Sequence, residues 1–299
     1  MKRKKKKKKK PHSKKVELCH WVVAFMDLLG QGDKMKDVSR LLDEGKEEDA
    51  VSRMKQIYAD HSNFYDAFQK TILQDNSHPI HPPIPLPPGI TLKEYQKIFR
   101  TNLKLQTFSD SIMIYLPLAD NGANLPMYGI SLMLSALGIQ MLSFLAQKKP
   151  FRCGVEVGFG IEIESGKLIG PAVQNAYELE SKQAQYPRIV LGKDLEIYLK
   201  GVAKDGLKNC TPEQNSASKT MAKRCLSWMG TDIDGETILN YLSPKFLEKL
   251  PKDKTEKIIS LAHDFTNQEQ ARHRKDKNSK LAIRYACLET FFRSQIKSK

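Results

Sequence analysis

Read from end to end, the chain predicts an α+β domain built on one sheet, with a helical appendage at its C-terminus. Three observations carry that expectation. Short apolar runs rich in Val, Ile and Phe recur between stretches of helical period, in the order β-α-α-ββ-α-β-α-β-α-ββ. Two of those runs lead straight into an aspartate, at Asp27 and Asp110. Beyond residue 244 the sequence becomes charged and helical, ending in an amphipathic stretch with Leu281, Ile283, Tyr285, Leu288, Phe291 and Phe292.

Taken in order, the first element is a strand over 16–29, bounded by the Gly30 turn. Residues 33–74 are helical, with Val38, Leu41, Leu42 and then Met54, Ile57, Tyr58 on an apolar face. Prolines over 78–90 exclude helix and central strand there, leaving an extended loop before a short helix at 91–100. A hairpin follows, with strands at 103–108 and 111–117 turning through Ser109-Asp110. The uncharged segment 125–147 is long enough to cross a bilayer, but its Pro start and its Ser131, Ser135, Gln140 and Ser143 read as a helix buried on a sheet face. No transmembrane segment is expected. A strand over 151–164, a helix over 171–185, a strand at 188–191 and a helix at 193–201 come next. Residues 203–221 read as loose and polar, and a last hairpin pairs 225–229 with 237–242. The expected organisation is a disordered basic tail over 1–15, a domain over 16–245 and a helical segment over 246–299.

Charge and cysteines narrow the function. The 299 residues carry a net charge of +15, but eleven Lys/Arg lie within residues 1–15, leaving +4 for the rest. The folded part makes no electrostatic case for nucleic acid, whereas Lys2 to Lys15 would contact polyanions weakly. No apolar region follows that tail as a signal peptide requires. Five scattered cysteines without paired spacing fit reduced thiols and a cytoplasmic location.

The aspartates carry the chemistry. A carboxylate at the end of an apolar strand is costly to desolvate and calls for a cation or a donor. Singly, Asp27 and Asp110 also suit ordinary turn formation. Two such carboxylates on neighbouring strands suit Mg²⁺ or Mn²⁺, hard ions that favour oxygen ligands and phosphates. The turn Leu28-Leu29-Gly30, opening onto a helix, offers backbone N–H groups to phosphate.

In this arrangement the chain resembles the class III nucleotidyl cyclase catalytic domain, the adenylyl and guanylyl cyclase family. The F-x-D-x-x-G strand is matched by Phe25, Asp27 and Gly30, and the T-x-G-D hairpin by Thr107-Phe108-Ser109-Asp110. The R-x-G strand is matched by Arg152-Cys153-Gly154-Val155, and the helix-opening motif by Gly170 to Glu180. The resemblance covers roughly residues 18–245. It implies a ferredoxin-like cyclase sheet with covering helices, a nucleoside triphosphate substrate, metal on Asp27 and Asp110, and nucleotide contacts from Leu28, Leu29, Gly30 and Gln106. It implies catalytic roles for Gln174 and Arg152, and a homodimer whose site is shared between subunits. The departures are equally specific. Gln174 and Glu178 stand where the family has Asn and Arg, Gln106 and Lys167 match neither base-reading pattern, and Asp232 and Asp234 occupy the hairpin where cyclases carry Lys. Arg152, Lys182 or Arg188 would then supply the missing positive charge. Three readings follow: a divergent cyclase, similar to the pyrimidine cyclases of antiphage signalling; a non-catalytic metal- and nucleotide-binding scaffold of the same fold; or a nucleic-acid-associated protein that uses the lysine tail, although no basic patch with aromatics lies inside the domain.

Overall fold

The computed structural model describes residues 18–72, 103–108, 111–118, 126–164, 166–208, 210–248 and 250–296. The basic run at 1–15, the proline stretch at 78–90, the helix expected at 91–100 and Asp110 lie outside the described residues.

The strands form one mixed sheet in the order β2-β3-β1-β4-β6-β8-β7, with β5 paired to β4. Their ranges are β1 Leu18–Leu28, β2 Lys104–Phe108, β3 Ser111–Pro117, β4 Phe151–Glu164, β5 Lys167–Ile169, β6 Ile189–Leu191, β7 Met229–Thr231 and β8 Thr237–Leu239. Neighbours run antiparallel except β4 and β6. The helices are α1 Gln31–Asp43, α2 Glu47–Ile72, α3 Pro126–Ala146, α4 Pro171–Glu178, α5 Lys193–Asp205, α6 Pro212–Ser227, α7 Pro244–Leu247, α8 Lys252–Lys275 and α9 Ser279–Ile296. A π turn, Leu179–Gln183, continues α4.

β1 sits mid-sheet and is buried on both faces, so its alternate residues feed two cores. Val22, Ala24, Met26 and Leu28 enter the larger core with α3, while Trp21 and Val23 join Ala172 and Ala176 of α4 on the other face. α3 passes every test of length and hydropathy for a membrane span, yet 67% of its most apolar window lies buried in the protein. Its polar residues are bonded inward, as a core helix requires: Gln140 Nε2 donates to Thr71 Oγ1 at 2.7 Å, and Ser131 Oγ accepts from Arg224 at 2.6 Å. Phe64, Phe68, Phe144 and Phe151 pin α2 and α3 to β4 through ring pairs 5.0–6.1 Å apart. The C-terminal helices share this core through Ile259, Ala262, Phe265, Leu288 and Phe292.

Two segments depart from the sequence expectation. Residues 212–221, expected to be loose, lie within α6, which runs on to Ser227. Thr211 and Gln214 make a reciprocal capping box, Pro212 sits at the first helical position, and Met221, Ala222 and Cys225 face the core. The polar composition comes from the solvent side of a helix only partly buried. Cys225 therefore lies in α6, and the last hairpin begins later, at Met229.

Candidate active site

Asp27 is the penultimate residue of β1, and the registers place Ser111 of β3 and Arg152 of β4 directly opposite it. Directly opposed residues share a face, so the three side chains meet. Ser111 Oγ donates to Asp27 Oδ1 at 3.2 Å, and Arg152 Nη2 approaches Asp27 Oδ2 at 3.3 Å. The same Nη2 lies 2.8 Å from Glu180 Oε1. Side-chain exposure divides the two acids: 24% for Asp27 and 3% for Glu180. Arg152 thus stands between two acids, in ion-pair contact with the buried Glu180 and hydrogen-bonded to the more accessible Asp27 through a contact longer than the ~2.7–2.9 Å of a strong charge-assisted bond.

Glu180 reaches this place because of a glycine. A Cβ on Gly154 would lie 2.3 Å from the Ala176 carbonyl oxygen and 2.6 Å from the Glu180 amide nitrogen. Only a bare backbone lets α4 and its π turn lie flat on β4. Another cation approaches from α9: Arg284 has its pKa lowered by burial and by the neighbouring Arg152 charge.

After Asp27 the chain turns into α1. Leu28 is buried in the core, the Leu29 amide donates to the Pro150 carbonyl at 2.9 Å, and Gly30 adopts φ 84°, a left-handed conformation suited to glycine. No side chain caps α1, so its amide dipoles point outward beside Asp27. Gln31, at the first turn, is buried with its Oε1 unpartnered among the described residues. One turn on, Lys34 Nζ reaches Asp60 at 2.6 Å, and Lys149 Nζ reaches the same carboxylate at 2.8 Å. Burial pushes Asp60 upward, but these two ammonium groups outweigh it and leave its pKa below the ordinary value.

Gln106 pairs across β3 with Met113, which pairs in turn with Phe25, so it shares the Asp27 face of the sheet. Its buried Oε1 has no partner among the described residues. Between Gln106 and Asp27 stands an aromatic patch: Phe25 stacks on Phe108 at 6.1 Å and meets Tyr177 of α4 edge-on at 5.4 Å. Gln174, also on α4, is exposed and donates to Glu178 Oε1 at 2.9 Å.

Of the cations expected to replace the missing arginine, Arg188 has its charge neutralised by two carboxylates. Its side chain is 3% exposed, with Nη1 2.5 Å from Asp232 and Nη2 2.6 Å from Asp234. Gln183 O accepts from Nη2 at 2.6 Å, and the Tyr186 hydroxyl donates to Asp232. The two acids noted at the cyclase lysine position are therefore partners of Arg188. Lys182 is exposed and paired with Glu178 at 3.2 Å. Sequence reasoning assigned no role to Ser111, Glu180, Arg284 or the Lys34–Asp60–Lys149 clamp. The motif glycine at 154 was the available signal for Glu180.

Among the described residues, no group of three or more His, Cys, Asp or Glu side chains is placed to hold a metal. The donors at Asp27 are hard oxygens and fit Mg²⁺ or Mn²⁺ in kind. Asp27 is one accessible carboxylate, with Glu180 buried behind Arg152.

No family model matches the chain, and neither does any curated protein. Among solved structures it is similar to the catalytic core of a rhodopsin-guanylyl cyclase with converted specificity in complex with ATPαS, at 13% identity and a TM-score of 0.33, covering 62% of this chain and 85% of that one. A bacterial light-regulated adenylyl cyclase gives 14% identity and a TM-score of 0.30, over 61% of this chain and 45% of that one. Another structure of a bacterial light-regulated adenylyl cyclase gives 11% identity and a TM-score of 0.32, over 82% of this chain and 99% of that one.

Proposed function

We propose that the chain is a divergent nucleotide cyclase, closing a nucleoside triphosphate to a cyclic nucleotide with release of pyrophosphate, on a ferredoxin-like sheet of the class III kind. The observation that carries this reading is the placement of Asp27: a partly exposed carboxylate at a strand end, bonded by Ser111 and Arg152, beside the uncapped start of α1. Asp27 and Asp110 would hold Mg²⁺ or Mn²⁺, which when bound activates the ribose hydroxyl and neutralises phosphate charge. The α1 amides beyond Gly30 would receive the phosphate oxygens. Arg152 and Arg284 supply positive charge at the same sheet end, where a pentavalent phosphorus accumulates negative charge. Phe25, Phe108 and Tyr177 form a partly exposed aromatic patch suited to a base, with Gln106 beside it as a hydrogen-bonding group. A homodimer in which the second subunit completes the site belongs to this proposal.

A second reading, the non-catalytic nucleotide-binding scaffold, is favoured by one observation. Gln174 and Glu178 bond each other, and Glu178 brings negative charge where a transition-state cation would stand. Pyrophosphate release from each of the four ribonucleoside triphosphates with Mn²⁺ separates the two. Turnover of at least one nucleotide, abolished by Asp27→Asn, is the expected result; nucleotide binding without turnover establishes the scaffold.

A further inference from the structure

Three arginines have an Nε that is buried and unpartnered among the described residues: Arg152, Arg188 and Arg224. The first two are neutralised by carboxylates, Asp27 with Glu180 and Asp232 with Asp234. Arg224 makes no ion pair among the described residues. Its Nη2 donates to Ser131 Oγ at 2.6 Å, and its guanidinium lies 5.3 Å from the Trp228 ring. A half-buried guanidinium without a counter-ion carries a desolvation cost that an anion would remove.

Arg224 also lines a cavity of about 260 Å³ between α3, α6 and α7. Tyr128, Ser131, Trp228 and Lys245 share its wall, and Lys245 and Glu248 are solvent-exposed. Tyr128 has its phenol pKa raised by burial, so it stays a neutral wall group at physiological pH. The cavity is smaller than the ~300–1,000 Å³ of drug-sized ligand sites. It lies on the α3 face of the sheet, the face opposite Asp27, because α3 lies against Leu116 of β3 at Gly129, and Leu116 pairs with Val22, which alternates with Asp27 across β1.

We infer that this cavity is a second ligand site, separate from the nucleotide site, for a small organic anion. Its carboxylate or phosphoryl oxygens meet Arg224, supported by Lys245, and its apolar body lies against Trp228. An arginine fork matches either oxyanion, and the aromatic wall matches a planar body.

The chain contains two tryptophans, so Trp21→Phe leaves Trp228 as the sole reporter at the cavity. In that background, phenyl phosphate, benzoate and neutral phenol are titrated by tryptophan fluorescence at constant ionic strength. A saturable change with either anion, weakened at least about tenfold by Arg224→Gln, supports the site, and the stronger anion identifies the oxyanion. Equal response to phenol, persistence of anion binding in Arg224→Gln, or no response to either anion overturns it. If Trp21→Phe does not fold, calorimetric titration of the unaltered chain against Arg224→Gln gives the same decision, because Arg224 and Asp27 stand on opposite faces.

Discussion

The ends of β4 and β6 lie side by side, the Cys153 amide donating to the Arg188 carbonyl at 3.0 Å, and each strand begins beside an arginine with two acids. The two clusters are built differently. Arg188 is closed: both acids, a backbone carbonyl and the Tyr186 ring at 4.5 Å engage it in the interior. Arg152 is open: it lies in ion-pair contact with buried Glu180 at 2.8 Å and hydrogen-bonds at 3.3 Å to an Asp27 that remains partly accessible. A network that neutralises its guanidinium with two carboxylates in this way locks the β7–β8 turn onto the sheet. A cluster that keeps one accessible carboxylate can exchange partners. The difference gives Arg188 a structural role, and under the proposed function it leaves Asp27 as the carboxylate that meets the metal.

The largest expected effect falls on the closed cluster. Arg188→Met leaves Asp232 buried beside Tyr186 without its cation, and is expected to cost about 3–5 kcal/mol in chemical denaturation. Loss of under about 1 kcal/mol would mean the cluster is not closed. Next comes the glycine that builds the open cluster. Gly154→Ala drives a methyl into the Ala176 carbonyl and lifts Glu180 from Arg152, at an expected cost of about 1–3 kcal/mol, with loss of any nucleotide turnover. Smaller still is Asp27→Asn, expected to change stability by under about 1 kcal/mol because its ion pair is long and solvent-accessible.

The smallest effect is a pH dependence. The Arg188 hydrogen bond holds the Asp234 carboxyl below its ordinary pKa. A depressed acid contributes stability above its unfolded value of about 3.9, and that contribution is lost as pH falls through the folded value. Asp234 is half-exposed, so the contribution is under about 1 kcal/mol. The stability gap between the native chain and Asp234→Asn should close between about pH 5 and pH 2. A gap that widens on acidification contradicts the assignment.

Much of the frame was legible because apolar runs declare strands directly. β4 occupies the stretch predicted from Phe151 to Glu164, and β1, β2 and β3 follow their Val, Ile and Phe runs. α6 was not, since one buried stripe of Met221, Ala222 and Cys225 is diluted by polar neighbours, although Thr211-Pro212 and Gln214 carried a cap signal. Asp27 stood out because its cost of burial is local. The partners of Arg188 lie 44 and 46 residues away, a distance that only the folded β6–β8 pairing closes. Glu180 was visible as a motif residue, but its role depends on the closeness that Gly154 permits.

Mn²⁺ binding by electron paramagnetic resonance, read with melting temperature on the native chain, Asp27→Asn and Arg188→Met, tests the division most directly. Native chain is expected to bind Mn²⁺ in the presence of a nucleoside triphosphate, Asp27→Asn to lose that binding while melting as the native chain does, and Arg188→Met to melt far lower. Retention of Mn²⁺ by Asp27→Asn, or a fall in its melting temperature matching that of Arg188→Met, would contradict the account.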